Sequence, residues 1–430
     1  LWIGKNNTWQ TINNAAQNPS NGTGGYAITA DIDYTIVYGG DSGDITINCG
    51  QDSSFSGVWT AQGNTDSNGI GDFYYTPPTG FLALCTKNLP DVDVIPSEHF
   101  NTVLYTGSNS VNQAITGVGF QPDFNWIKSR TGGDSHHFFD AVRGAGERIR
   151  SDSTATETTV NSHTAFNTDG FTLGAVGTGI TANGHAYAAW NWKAGNATLA
   201  SNAFTQGSIA STCSRNTDAG FSIVSYTGND TAGATVGHGL SSALELIIIK
   251  NRDRAVDWIV WHDSLADDHH LKLQGTHAAI NSSTRFNSTD PSSTLFTLGN
   301  QDDTNKASDK FIAYCFHSVD GYSKMGSYEG NANADGSYVH LGFRARYILI
   351  KNIDSVEPWV IQDTARSPFN PRDDVLYANT SDAETDWSSY PLDILSNGFK
   401  PRNTGSSTNS AHTFIYIAFA ETPFKYSNAR

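Results

Sequence analysis

The triplet Tyr105-Thr106-Gly107 decides the fold, because it returns twice later in the chain. The second copy is Tyr226-Thr227-Gly228 and the third is Tyr328-Glu329-Gly330. Each copy is followed by an apolar run that ends in Ile-Lys. The lysines that close these runs lie 21, 22 and 21 residues after the glycines and are Lys128, Lys250 and Lys351. A module copied at this spacing is typical of repeat proteins, which more often present surface than enclose one reaction centre.

The copies also share landmarks after the lysine. A polar turn leads to a second apolar run, which ends on an aspartate 12, 13 and 12 residues after the lysine. These aspartates are Asp140, Asp263 and Asp363. Two apolar runs around a short polar turn predict a β-hairpin in each copy. The landmarks together predict three modules in series, at 99–195, 220–321 and 322–430.

The residue usage favours short strands and not helices. Gly, Ser, Thr, Asn and aromatic residues are abundant, and Met325 is the single methionine. The closing strand of each module mixes aromatic and small residues, as at 187–192, and this pattern suits two sheets packed face to face. The run 247–249 is apolar without alternation, which is typical of a central strand covered on both faces. We therefore expect an all-β fold with one β-sandwich per module and a linker at 196–218.

The first 90 residues lack this repeat. Polar and apolar residues alternate at 31–38 and again at 44–49, which predicts half-buried strands. These strands favour a separate β domain at 1–90.

The charge and the cysteines exclude several classes of protein. The net charge is −16, with 26 basic and 42 acidic residues and no basic cluster, so we expect no nucleic-acid partner. No apolar run approaches the ~18 residues that a membrane span needs, so we expect no membrane insertion. The cysteines are far apart and none forms a Cys-x-x-Cys motif, so we expect no zinc site and no disulfide framework. They are Cys49, Cys85, Cys213 and Cys315.

Two parts of the chain resemble domains of tailed-phage structural proteins. The stretch 71–90 resembles the end of a lectin-like jelly-roll domain, so the domain at 1–90 is identified as a lectin-like β-sandwich fragment whose N-terminal part is incomplete. The three modules resemble an uncharacterised β-rich domain that follows it in phages. The residues that carry this second resemblance are 117–122, 126–128, 140–144, 190–195 and 420–426.

This resemblance implies a virion protein at the particle surface, with a tail-fibre or surface-fibre role. Its expected partners are other virion proteins and a host glycan or receptor, and a homotrimer is plausible for a fibre. The resemblance brings no catalytic residue and no cofactor, so we expect a protein that is not an enzyme. Capsid decoration or baseplate bridging without a ligand, and polysaccharide cleavage by a depolymerase, are the alternatives.

Two Asp-x-x-Arg pairs invite a catalytic interpretation. They are Asp140 with Arg143 and Asp363 with Arg366. A structural carboxylate–guanidinium pair that holds a strand end is favoured, because the pattern recurs in two modules without a nearby nucleophile. The second module, with Asp263, lacks the arginine, which suggests that the pair can be dispensed with.

Other polar motifs favour ordinary turns. The stretch 331–336 imitates the start of a calcium loop, but Gly342 stands where a bidentate glutamate is required, so we expect no metal site. The doublets His136-His137 and His269-His270 would point to opposite faces of a strand, so a loop or surface role is expected for them. Trp387 and Tyr390 lie in a polar loop and are the best candidates for exposed recognition residues.

Overall fold

The computed structural model describes residues 48–174, 179–195, 204, 206–386 and 390–427, together with two short N-terminal strands. Apart from strands and turns, these residues form only three short 3-10 turns, Thr86–Asn88, Pro96–Glu98 and Phe424–Tyr426, so the all-β prediction is confirmed. Within this described part, no helical segment has the length and apolar character needed to cross a membrane. The chain divides into two compact units, Leu1–Asp91 and Val92–Arg430.

The first unit is described mainly from residue 48 onward. Strands β1 (Gly4–Lys5) and β2 (Thr8–Trp9) form an antiparallel pair. The segment 48–91 is organised by the buried carboxylate of Asp66, which accepts hydrogen bonds from the backbone of Ala83 and from the side chain of Asn88. The strands predicted at 31–38 and 44–49 lie outside the described residues, except for the last two positions of the second.

Repeat 1 forms two antiparallel sheets that pack face to face. The large sheet has the order β3-β11-β5-β6-β7-β8 and the small sheet has the order β4-β10-β9. Side chains between the two sheets, such as Ile127, Phe139 and Phe171, form a core that belongs to this repeat alone. The strands are β3 (Phe100–Thr106), β4 (Gln113–Ile115), β5 (Phe124–Ser129), β6 (His137–Asp140), β7 (Gly144–Ile149), β8 (Thr158–Thr159), β9 (His163–Asn167), β10 (Gly170–Leu173) and β11 (Ala186–Trp192).

Repeat 2 has the same plan, with one strand more in its large sheet and one strand fewer in its small sheet. Its large sheet has the order β12-β13-β20-β15-β16-β17-β18, and β14 pairs with β19 on the other side. The edge strand β12 comes from the predicted linker 196–218, which is a correction, because its backbone pairs with the neighbouring strand from Ser211 to Asn216. The strands are β12 (Ser211–Asn216), β13 (Phe221–Thr227), β14 (Ala234–Gly237), β15 (Leu246–Asn251), β16 (Trp258–His262), β17 (His269–Lys272), β18 (Ile280–Asn281), β19 (Leu295–Leu298) and β20 (Lys310–Phe316).

Repeat 3 returns to the plan of repeat 1. The large sheet has the order β21-β29-β23-β24-β25-β26 and the small sheet has the order β22-β28-β27. The predicted hairpin is present in all three repeats, as β5–β6, β15–β16 and β23–β24. The strands are β21 (Ser323–Glu329), β22 (Val339–His340), β23 (Phe343–Asn352), β24 (Trp359–Asp363), β25 (Asp374–Tyr377), β26 (Thr385–Asp386), β27 (Leu392–Leu395), β28 (Gly398–Pro401) and β29 (Thr413–Pro423).

Ring stacking and steric contacts explain why each repeat has a Tyr-x-Gly triplet near its start. Each tyrosine ring stacks on an aromatic ring of the closing strand, with centroid distances of 4.9, 5.0 and 5.1 Å. The tyrosine hydroxyl donates to a backbone carbonyl of the loop that precedes the closing strand, and this loop lies close under the glycine. A Cβ at Gly107, Gly228 or Gly330 would lie 2.3, 2.3 or 2.1 Å from a carbonyl oxygen of that loop, so only glycine fits.

The second face of each large sheet packs against the other two repeats. One core cluster therefore contains side chains from all three repeats, among them Trp190, Tyr314 and Phe419. A narrow apolar cavity of about 20 Å³ lies where the sheets meet and is lined by residues of every repeat. The central strands β5, β15 and β23 of the three large sheets are buried at nearly every position, so both of their faces are covered. The modules predicted at 99–195, 220–321 and 322–430 follow one another along the chain and surround one shared core.

The run 247–249 illustrates how the two cores are built. Ile248 belongs to the shared core, whereas Ile247 and Ile249 belong to the core of repeat 2. Because neighbouring residues of a strand point to opposite faces, a strand covered on both sides is apolar at every position. The prediction of a central strand at this position is confirmed, since every residue of β15 is buried.

Candidate functional site

Three seams join the repeats into a closed ring. In each seam the hairpin that carries the Ile-Lys motif of one repeat lies against the preceding repeat of the ring. Seam 1–2 is formed by the Lys250 hairpin on repeat 1, seam 2–3 by the Lys351 hairpin on repeat 2, and seam 3–1 by the Lys128 hairpin on repeat 3. The direction is the same in each case, so the contacts close after three steps.

The repeated lysine is the first element of each seam. Each of the three side chains is fully buried, and its ammonium donates to carbonyls of its own hairpin and to one of the neighbouring repeat. Burial lowers the pKa of each lysine to about 8. The distances across the seams are 3.2 Å from Lys128 to Ser381, 3.1 Å from Lys250 to Thr154 and 3.2 Å from Lys351 to Thr276.

A ring nitrogen at the start of the second hairpin strand is the next element. In seams 1–2 and 2–3 it is an indole N–H, which donates from Trp258 to the Arg150 carbonyl at 2.8 Å and from Trp359 to the Lys272 carbonyl at 3.0 Å. In seam 3–1 the same place is taken by His136, whose Nε2 lies 2.8 Å from the Tyr377 carbonyl. One backbone hydrogen bond also recurs in every seam. In seam 1–2 the N–H of Glu157 donates to the carbonyl of Arg252, in seam 2–3 the N–H of Ala279 donates to that of Ile353, and in seam 3–1 the N–H of Glu384 donates to that of Arg130.

The first Asp-x-x-Arg pair lies inside seam 1–2. Asp140 and Arg143 are 2.5 Å apart, and both side chains are fully buried. The hydroxyl of Tyr314 in repeat 2 donates to the same carboxylate at 2.8 Å. Arg143 also pairs with Glu157, which pairs with Arg252 of repeat 2. The predicted structural role therefore extends from a strand end to the joint between two repeats.

The second pair occupies the same place in seam 3–1. Asp363 and Arg366 are 2.5 Å apart and fully buried, and the indole N–H of Trp190 in repeat 1 donates to Asp363 at 3.1 Å. Burial alone would raise the pKa of Asp363, but the adjacent charge of Arg366 holds it below its ordinary value. Arg366 also pairs with Glu384, which pairs with Arg130 of repeat 1.

The strand register at seam 2–3 corrects the alignment of repeat 2 with the other two repeats. His262 lies opposite Leu246 in the same register in which Asp140 lies opposite Phe124. Its Nδ1 accepts the backbone N–H of Ser264 at 3.1 Å, as Asp140 accepts the backbone N–H two residues later. His262 and not the exposed Asp263 is therefore the counterpart of the two buried aspartates. The signal was present in the sequence, since His262 follows Lys250 by the 12 residues found in the other repeats.

The remaining members of the network change together in seam 2–3. Apolar residues stand at all four positions. Leu265 takes the place of the arginine that pairs with the aspartate, and Ala279 takes the place of the glutamate. Ile353 takes the place of the arginine that pairs with this glutamate from the neighbouring repeat, and Ile417 takes the place of the residue that donates to the aspartate. A single charged residue left at such a buried place would have no partner, which costs several kcal/mol. The charged network is thus present as a whole in two seams and absent as a whole from the third.

Of the two predicted recognition residues, only Tyr390 lies in the part of the chain that the structure describes, and it is not exposed. Trp387 lies outside the described residues. Tyr390 is half-buried, and its ring lies against Gly405, where a Cβ would be 2.2 Å from the ring. Its carbonyl accepts a hydrogen bond from Gln362 at 3.1 Å.

The histidine doublets are also placed differently from the expectation. His137 and His270 are buried in strands, so the predicted loop or surface role is wrong for these two, whereas His136 lies in the loop before β6 but is buried there. Burial is the largest cause of the lowered pKa of each imidazole. In the part of the chain that the structure describes, no group of three His, Cys, Asp or Glu residues is arranged to hold a metal ion.

The loop that imitates a calcium site is an ordinary turn. The side-chain oxygen of Asn331 accepts the backbone N–H of Asn333, as in an Asx turn. The carboxylate of Asp335 pairs with Lys400 and Arg402, at 2.7 and 2.8 Å.

An exposed aromatic cluster in the first unit was missed by the sequence reasoning. Trp59 is 59% exposed and Tyr75 is 45% exposed, and both rings contact Tyr74, at 6.3 and 4.9 Å between centroids. Phe55 adds a fourth ring, 5.9 Å from Tyr74. Its signal was that these rings stand among Gly, Pro, Ser and Thr residues, without the alternation of a strand.

Comparison with known proteins concerns the second unit. No curated protein and no solved structure matches the chain significantly. A family model described as a domain of unknown function, DUF7483, matches residues 95–423, which span all three repeats. The matched segment coincides closely with the compact unit Val92–Arg430, so the family unit is the closed ring and not the single repeat. The chain therefore belongs to the DUF7483 family.

Proposed function

We propose that this protein is a non-catalytic component of a virus particle that acts through its outer surface by attachment to a host glycan. The main observation behind the proposal is that the side chains best suited to catalysis are buried between the repeats. Asp140, Arg143, Asp363 and Arg366 are fully buried in the seams, where they bind the repeats to each other. The sequence resemblance to tailed-phage structural proteins supports the setting.

The closed ring suits a display role. Its three repeats share one core and are joined by buried lysines, so they are expected to move as one body. Loops on such a body keep their relative positions, which favours simultaneous weak contacts with a repetitive surface. A decoration or bridging protein would use the same rigidity, so binding to a ligand has to be measured.

The cluster around Trp59 and Tyr75 is the surface best suited to a glycan. Aromatic faces stack on the C–H faces of sugar rings, and both rings are open to solvent. The backbone beneath them is held by the side chain of Asn64, which donates to the carbonyls of Phe73 and Tyr74 at 3.2 and 3.0 Å. This support orients the rings before a ligand arrives, which lowers the entropy cost of binding.

Replacement of Trp59 and Tyr75 by alanine is expected to weaken glycan binding about 10-fold or more, because each stacked ring contributes on the order of 1 kcal/mol. A glycan array first identifies host surface glycans that bind the full chain. The dissociation constant of each variant is then measured by titration with these glycans. Phe369→Ala is the matched control, since this aromatic ring is 72% exposed but lies on repeat 3. Equal losses in both variants, or no binding to any host glycan, would favour the decoration role, and release of reducing ends would favour a depolymerase.

A further inference from the structure

The two seams that border repeat 3 each bury a histidine, whereas seam 1–2 has a tryptophan and an aspartate at the corresponding positions. His136 lies in seam 3–1 and His262 in seam 2–3. Their counterparts in seam 1–2 are Trp258 and Asp140, which form its hydrogen bonds to the neighbouring repeat. An imidazole changes its charge in mildly acidic solution, but an indole does not.

The partners of His136 determine its protonation state. The indole N–H of Trp126 donates to Nδ1 at 2.7 Å, so Nδ1 has to be unprotonated. The ring proton is then on Nε2, which lies 2.8 Å from the carbonyl of Tyr377 in repeat 3. A second proton on Nδ1 would face the N–H of Trp126. That hydrogen bond would be lost and an unpaired charge would be buried in the seam.

The charged groups around His136 oppose its protonation. Lys128 lies on the same hairpin and His137 is the next residue, and both make a positive imidazole less favourable. Asp152 of repeat 1 accepts the backbone N–H of His136. Together with Asp134 of repeat 1 and with Asp382 and Glu384 of repeat 3, it also acts on the charge of Lys128. Burial, followed by the charge of Lys128, holds the pKa of His136 well below its usual value.

His262 is placed in a similar way in seam 2–3. Its Nδ1 accepts the N–H of Ser264, and its ring faces the backbone of Tyr416 in repeat 3. The ionisable neighbours on its own sheet are Asp263 and Glu245, whose backbones are joined by a hydrogen bond. Burial lowers the pKa of His262 to about 4. This seam has no charged network to compensate for a buried imidazolium.

The carboxylate of Glu157 in seam 1–2 keeps its charge in mild acid. Burial would raise the pKa of Glu157, but Arg252 and Arg143 hold it below its ordinary value. From these contacts we infer that mild acid loosens repeat 3 from repeats 1 and 2, at seams 2–3 and 3–1, while seam 1–2 stays closed. The ring is thus a proton-responsive device in which one repeat is released and two remain joined.

Hydrogen exchange of the full chain at pH 7 and pH 5, corrected for the intrinsic exchange rate, tests this inference. An unfolded imidazole has a pKa of about 6.5, so opening at His262 is expected to rise about 20-fold between these two pH values. Peptides at 262–265 and 374–380 should lose protection at pH 5. Peptides at 153–157 and 250–254 should keep theirs.

Two variants separate titration from packing. His262→Asn keeps an acceptor for Ser264 but takes up no proton. The double substitution Trp126→Ile and His136→Trp gives seam 3–1 the residue types that Ile248 and Trp258 provide at the equivalent positions of seam 1–2. With all three substitutions, the borders of repeat 3 are expected to show the same protection at pH 5 as at pH 7. A wild-type acid response in this variant, or equal loosening of seam 1–2 in the unmodified chain, would overturn the inference. Equal loosening of seam 1–2 is measured in the unmodified chain, so this result would overturn the inference even if the variant does not fold.

Discussion

Replacement of Asp140 by alanine is expected to destabilise the three-repeat unit by about 3–5 kcal/mol. The substitution leaves the fully buried guanidinium of Arg143 without its main partner. It also removes the acceptor of the Tyr314 hydroxyl, which comes from the neighbouring repeat. The measurement is the free energy of unfolding in a chemical denaturant at pH 7, compared with that of the unmodified chain.

The matched control is Asp263→Ala, which changes an exposed aspartate beside the register equivalent of Asp140. Its effect is expected within about 0.5 kcal/mol, as for most surface positions. Joint replacement of Asp140 and Arg143 by leucine should recover much of the loss, because seam 2–3 already has Leu265 in the arginine position. Similar losses in the Asp140 and Asp263 variants would show that the buried pair does not stabilise the seam.

Acid is expected to destabilise the whole unit well above the pH at which carboxylates titrate. Besides the half-buried His99, six buried imidazoles have a folded-state pKa below the ordinary value of about 6.5, and burial is the largest cause in each. For four of them the pKa is about 4, and for the other two it is well below the ordinary value. They are His163, His238, His262 and His270, followed by His136 and His137.

The sign follows from proton uptake. Between pH 6.5 and about 4 the unfolded chain binds these protons and the folded chain does not, so stability falls as the pH falls through this window. Each histidine should contribute a loss of about 1 kcal/mol between pH 7 and 5.5. Denaturant titrations at several pH values measure the slope. His163→Asn should make the slope shallower, and His277→Gln, at an exposed position, should leave it unchanged. A flat profile down to pH 5 would contradict the placement of these rings.

The elements that depend on local spacing could be predicted from the sequence. The Tyr-x-Gly triplets and the Ile-Lys hairpins lie within short segments, so their periodicity is visible without the fold. The unalternating run 247–249 also correctly indicated a strand covered on both faces. These local patterns were sufficient for the all-β class and for the positions of the three repeats.

The seams could not be predicted, because their contacts join distant residues. Tyr314 meets Asp140 across 174 positions of the chain, and Trp190 meets Asp363 across 173. The apolar second face of each sheet was visible in the sequence, but the pattern does not say what covers it. The one-residue misalignment of repeat 2 at Asp263 arose because an aspartate follows the true counterpart, His262.

The central claim is that the three repeats form one folding unit with a shared core. Native-state hydrogen exchange of the full chain at pH 7, in increasing concentrations of urea, tests it most directly. The slowest amides of β5, β15 and β23 are expected to converge on one free energy and one urea dependence. Three separate free energies, each with the smaller urea dependence of a single sandwich, would contradict the account.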